Sequence, residues 1–127
     1  MPVLERMVGF LNTTDANKAK TFYADTLGFA LIGEDDYAIV FDANGTMIRV
    51  NKAREFKPAQ GTVLGWQVDD IYAAIRELVA RGVAFEQFNL PFMKQDEHGV
   101  WTPPGGDRVA WFKDPDGNVL SISQHVR

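Results

Sequence analysis

Val109-Ala110-Trp111-Phe112-Lys113-Asp114-Pro115-Asp116-Gly117-Asn118-Val119-Leu120-Ser121-Ile122-Ser123 is the stretch on which the reading of this chain turns. Two alternating apolar runs flank a Pro-Asp-Gly loop, a pattern that predicts an antiparallel hairpin. The loop suits a type I turn, with Gly117 taking the positive φ of a G1 bulge. With Asp114 facing Asn118, Trp111 falls opposite Ser121; the two share one face of the sheet, and Leu120 and Ile122 point to the other.

Working back from the hairpin, Thr62 to Val68 reads as a strand and Asp69-Asp70 as a helix cap. Ile71, Ala74, Ile75 and Leu78 form the apolar stripe of a helix stopped at Gly82, and Val83 to Gln87 reads as a further strand. The first half opens in the same order. Val8 to Thr14 alternates as a strand, and Thr14-Asp15 caps a helix running to Leu27. Its buried stripe is Ala19, Phe22, Tyr23, Thr26 and Leu27, with Gly28 as the left-handed C-cap. Strands over Phe29 to Gly33, Tyr37 to Asp42 and Thr46 to Asn51 follow, the last two joined by Asn44-Gly45, a hairpin signal. The interval from Asp15 to Gly28 equals that from Asp69 to Gly82, so the chain carries an internal repeat at an offset of 54 residues. Lys52 to Gly61 is the expected linker. The second copy differs by one long segment, Phe88 to Asp107, rich in proline and large aromatics, which reads as a lid or as a cover for a sheet edge.

The chain has 127 residues, 46% hydrophobic and 12% aromatic, enough to bury a core without disulfides or metal. With Cys 0, disulfides, zinc thiolates and thiol nucleophiles are excluded. Lys+Arg 13 against Asp+Glu 17 gives a net charge of -4, which argues against binding a phosphate backbone, so no nucleic acid partner is expected. No apolar run is long enough to cross a membrane, and the first residues lack the form of a signal peptide. A cytoplasmic protein without a membrane partner is the expectation.

Phe22-Tyr23-Ala24-Asp25-Thr26-Leu27-Gly28-Phe29, Asp69-Asp70 at the second helix and Trp111 to Asn118 together resemble the glyoxalase/bleomycin resistance/extradiol dioxygenase group, the vicinal oxygen chelate superfamily. The resemblance covers nearly the whole chain. It implies an α+β fold in one domain over 1–127, with two βαβββ modules, about 1–55 and about 60–127, whose curled mixed sheets surround a cleft with helices outside. It fixes no reaction, because the group includes isomerases, dioxygenases, thiol transferases and binding proteins.

Enzymes of the group generally hold a divalent metal with His, Gln or Glu side chains. The resemblance assigns those positions to Val8, Val63 and Ser121, none of which suits a metal, and a slip of one residue restores no ligand. The two histidines are His98, beside Asp96 and Glu97 in the long segment, and His125 near the end. Adjacent loop residues lack the convergence of a metal site, so no metal and no cofactor are expected. No Gly-x-Ser-x-Gly elbow is present.

The expected cleft is apolar and aromatic. Strand alternation turns Phe10, Gly65, Trp111 and Ser123 inward and sends Leu64, Trp66 and Val68 toward the helices. The candidate ligand-binding residues are Phe10, Phe41, Arg49, Phe92, Trp101, Trp111 and Ser121. Together they suit a small aromatic or hydrophobic molecule, a planar cation included. The function expected is metal-independent sequestration or sensing of such a molecule, as in bleomycin resistance proteins, by a homodimer. Two alternatives stay open. One is a lyase, isomerase or dioxygenase-related enzyme, in its metal-free form using Glu86 or Glu97 as base; the other is an interaction module with a vestigial cleft.

Overall fold

The computed structural model describes residues 3–126. The chain divides into two compact units, Met1–Pro58 and Ala59–Arg127. Among the described residues, no helix is long and apolar enough to cross a membrane.

In unit 1, β1 (Val8–Thr13) leads through α1 (Ala16–Lys20) and a π-helical turn (Thr21–Thr26) to β2 (Ala30–Glu34), β3 (Ala38–Ala43) and β4 (Thr46–Lys52). The strands lie in the order β1-β4-β3-β2, with β1 parallel to β4 and the other pairs antiparallel. The Asp15 carboxylate accepts from Lys18 N–H at the start of α1. Asn44 and Gly45 both take positive φ, 56° and 100°, as the tight turn from β3 to β4 requires. Leu11, Ile39, Phe41, Ile48 and Val50 are buried on the helix side with Ala19 and Tyr23. Val8, Phe10, Met47 and Arg49 alternate with them and lie on the opposite face.

In unit 2, β5 (Thr62–Gln67) leads to α2 (Ile71–Ala80), β6 (Arg108–Lys113) and β7 (Val119–Gln124). The order is β5-β7-β6, with β5 parallel to β7, so the first and last strands of each copy pair in the same sense. Leu120, Phe112, Ile122 and Ala110 are buried on one face with Ile71 and Ile75 of α2. The hairpin forms as its sequence predicts. Asp114 N–H donates to Asn118 O, Gly117 has φ 86°, and Trp111 pairs with Ser121.

The repeat needs one refinement. The cap of α2 is Asp70, whose carboxylate accepts from Ala73 N–H, so the caps are 55 residues apart while Gly28 and Gly82 remain 54 apart. Each copy carries one extra residue in a different place. In unit 1 it lies in the helix, where Leu27 N–H reaches back five residues to Phe22 O, a π-type bond. In unit 2 it lies in β5, where the register shifts between Thr62 and Leu64, leaving Val63 in a bulge.

The strand expected over Val83 to Gln87 does not form as such. It contributes one bridge, Phe85 to Phe112, with Glu86 N–H donating to Trp111 O. Further along β6 the edge is taken by Trp101, which exchanges two 2.9 Å hydrogen bonds with Val109. Two separated contacts thus occupy the edge that β2 fills in unit 1, and the residues between them fold back as a long turn.

Candidate functional site

The face of unit 2 opposite α2 gathers most of the chemistry. Cross-strand partners share a face, so Gly65, Ser121 and Trp111 form one row, and Gln67, Ser123, Val109 and Trp101 form the next. Trp101 stacks on Trp111, with centroids 6.3 Å apart and planes at 27°, and Phe88 meets Trp111 edge-on at 5.5 Å. The Trp111 indole N–H donates to Thr62 Oγ1 at 2.9 Å. The bulge at Val63 brings this hydroxyl to the Trp111 face, because without it Thr62 and Gly65, an odd number of residues apart, point to opposite sides. Gly65 lies close under Ser121, since a Cβ there would come 2.5 Å from Ser121 Oγ and would force that hydroxyl to move.

Gln95 holds the long segment under these aromatics. Its side chain accepts from Phe88 N–H and donates to Glu86 O and Gly99 O, at 2.8 to 2.9 Å. Asp96 fixes the next turn, accepting from the amides of His98 and Val100 and from the Tyr72 hydroxyl of α2. Burial works to raise the Asp96 pKa, but the hydrogen bonds from Tyr72, Val100 and His98 outweigh it and hold the carboxyl below its ordinary value. The same bond raises the Tyr72 pKa. Asp96 therefore serves as a structural anchor. Glu97, 85% exposed, lies 3.6 Å from His98.

Beside the aromatic rows, Ser123 Oγ lies 2.9 Å from Nε2 of His125, and Nδ1 of the same ring lies 3.0 Å from Asp107 Oδ2. The sequence reading missed this chain of contacts. Its one local signal is Ser123-x-His125, a spacing that places both side chains on one side of an extended strand, while Asp107 arrives from the far end of β6.

The open face of unit 1 is different. Phe10 and Arg49 are register partners there, and Phe10 is 60% exposed. At the Val8 and Met47 end, Arg6, Met7, Ile32 and Asp42 complete an open pocket of about 390 Å³. Phe41 also borders this pocket, but its side chain faces the helix side of the sheet. Its side chain is 0% exposed and packs on Tyr23 at 5.7 Å, because it pairs with Ile48 and alternates with Val40 and Asp42. Among the other expected site residues, Trp101, Trp111 and Ser121 come together in unit 2, whereas Phe92 projects 79% exposed from the turn beyond Leu90.

A sequence model of the Glyoxalase/Bleomycin resistance protein/Dioxygenase superfamily matches residues 4–122. The chain belongs to this superfamily. Solved structures agree with that assignment at the level of the fold. A protein described as belonging to the glyoxalase family, from Bacillus anthracis, is similar with a TM-score of 0.74 and 17% identity, over 99% of this chain and 98% of that one. A glyoxalase/bleomycin resistance protein/dioxygenase from Alicyclobacillus acidocaldarius gives 0.71 and 17%, over 97% and 92%. TnmS3, an antibiotic binding protein from Streptomyces sp. CB03234, gives 0.69 and 25%, over 99% of both chains. No curated protein matches the chain significantly.

The residues at the positions that the resemblance assigns to metal ligands do not suit a divalent ion. Val8 and Val63 offer no lone pair, with Val63 in the bulge of β5, and Ser121 supplies only a neutral hydroxyl. Among the described residues, no three His, Asp or Glu side chains converge.

Proposed function

We propose that this superfamily member binds a small aromatic or hydrophobic molecule without a metal and acts by sequestering or sensing it. The observation that carries the reading is the Trp101–Trp111–Phe88 assembly on the open face of unit 2, with Trp111 anchored by Thr62. Large rigid rings beside the hydroxyls of Ser121 and Ser123 offer stacking area and a few orienting polar atoms, the usual composition of a small-molecule site. The 25% identity to an antibiotic binding protein over nearly the full length of both chains supports the same reading. Phe10 and Arg49 on the open face of unit 1 supply a second surface, apolar with a cation beside it.

The donor-poor positions Val8, Val63 and Ser121 support metal independence. Catalysis by a lone carboxylate finds little support. Glu86 lies 3.7 Å from Lys113, Glu97 is exposed, and neither has the apolar burial such a base requires.

The exposed apolar side chains Val8, Phe10 and Met47, together with the β1 and β5 edges, support a homodimer, which light scattering of the purified protein tests. Binding is tested by titrating anilinonaphthalene sulfonate and bleomycin against tryptophan fluorescence, then recovering each compound for mass analysis. Saturable quenching with unchanged compound supports the reading; absence of saturable quenching refutes it.

A further inference from the structure

Asp107, His125 and Ser123 form one hydrogen-bonded line on the open face of unit 2. A carboxylate only accepts, so its contact at His125 Nδ1 places the ring proton there and leaves Nε2 with a lone pair facing the Ser123 hydroxyl. Val126 N–H donates to the other oxygen of Asp107 at 2.9 Å and fixes the carboxylate from its far side. His125 and Asp107 have side-chain exposures of 38% and 39%, so a substrate can reach the line from solvent.

We propose that Ser123 is a nucleophile and that this face hydrolyses small neutral aromatic esters, with His125 as general base and Asp107 holding its tautomer. Ser123 Oγ adds to the ester carbonyl carbon while its proton passes to His125 Nε2. Collapse breaks the bond to the alkoxy oxygen, which leaves as the alcohol with that proton, and the acyl group stays on Ser123. A water then gives a proton to Nε2 and its oxygen to the acyl carbon. The serine oxygen takes the proton back as the acid departs, so no cofactor or further reactant is consumed.

Two neighbours define the substrate class. Gln67 is the register partner of Ser123 on β5, about 4.8 Å away between strands, so it shares the face of Ser123 and is the neighbouring side chain with an N–H to offer the negative oxygen that develops. On the other side the row runs through Val109 to Trp101, about 10 Å from Ser123 across two strand spacings. That span admits an aryl group on the indole while the carbonyl rests at Ser123. The aromatic preference rests on the binding reading above; the nucleophile does not.

The test incubates the full chain with a fluorophosphonate probe and maps the modified peptide, then follows hydrolysis of p-nitrophenyl acetate and p-nitrophenyl benzoate. The expected result is one probe per chain on Ser123. Saturable turnover should favour the benzoate, and kcat/KM should fall on the order of 10³-fold in Ser123→Ala and His125→Gln. Absence of labelling, labelling elsewhere, or unchanged turnover in folded Ser123→Ala overturns the proposal. Mapping on the unmutated protein keeps the test valid where a variant fails to fold. Equal rates on the two esters overturn the substrate class. Retained fluorescence quenching in Ser123→Ala shows that binding stands when the nucleophile fails.

Discussion

The two sheets begin alike, with the first strand of each copy beside its last and the last beside its hairpin partner, yet their open faces are unlike. In unit 1 the place beside β3 is filled by a continuous strand, β2, and the open face keeps separate side chains such as Phe10 and Met47. In unit 2 the equivalent edge is met only at Phe85 and at Trp101, and the residues between them fold back to bring Phe88 and Trp101 against Trp111. The difference teaches that replacing one edge strand with a long anchored turn converts a repeated sheet into a surface with assembled aromatics.

The largest effect expected from that contrast is a stability difference between aromatic truncations. Trp111→Ala should cost about 3 kcal/mol in urea unfolding, because it removes a ring packed on two others and its hydrogen bond to Thr62. Phe10→Ala, on the exposed side of β1, should change stability by less than about 0.5 kcal/mol. Equal losses erase the distinction between the faces. Next comes Gln95→Ala, which leaves three backbone groups of the long segment without their partner and should cost about 2 kcal/mol. Amide exchange should accelerate over residues 86–101 in that variant while unit 1 keeps its protection; uniform acceleration contradicts an anchoring role.

The pH response sharpens the comparison in a smaller way. Hydrogen bonds to Lys20 and Lys52 hold the Glu34 carboxyl of unit 1 below its ordinary value, and Asp96 of unit 2 is held low by Tyr72 and two backbone amides against its burial. A carboxyl with a lowered folded pKa contributes stability in full above its unfolded pKa, about 4, and loses it as pH falls through the folded value. Asp96→Asn should therefore flatten the acid end of the stability curve, and so should Glu34→Gln. Salt should weaken the Glu34 part more, since both its partners are charged, whereas Asp96 is held chiefly by the neutral donors Tyr72, His98 N–H and Val100 N–H, with the His98 charge a lesser contribution. Among the contacts of the aromatic face, the smallest loss belongs to Thr62→Val, about 1 kcal/mol or less, with a shift in tryptophan emission as the check.

Much of the fold was legible because local rules decide it. The Pro-Asp-Gly loop specifies its own turn, so the Trp111 and Ser121 pairing followed from counting, and Asn44-Gly45 did the same for β3 and β4. The site was half legible. Alternation placed Trp111, Ser121 and Phe10 on open faces, but it could not choose the face of Phe41, since Ile39, Phe41 and Ala43 alternate with Ala38 and Val40, which are also apolar. The bulge at Val63 has no local marker, because a valine fits a regular strand equally well, and it decided that Thr62 meets Trp111. Gln95 was invisible for a related reason. Its role consists of three backbone contacts created by a turn whose shape no periodicity encodes.

The central claim is that the aromatic face of unit 2 binds a small molecule without a metal. Its most direct test is a fluorescence titration with anilinonaphthalene sulfonate after exhaustive dialysis against EDTA, repeated with Ni, Mn or Fe(II) added back and with Trp111→Ala. The account predicts saturable binding, unchanged by any of the metals and lost in Trp111→Ala. Binding that appears only with added metal, or that survives the loss of Trp111, contradicts it.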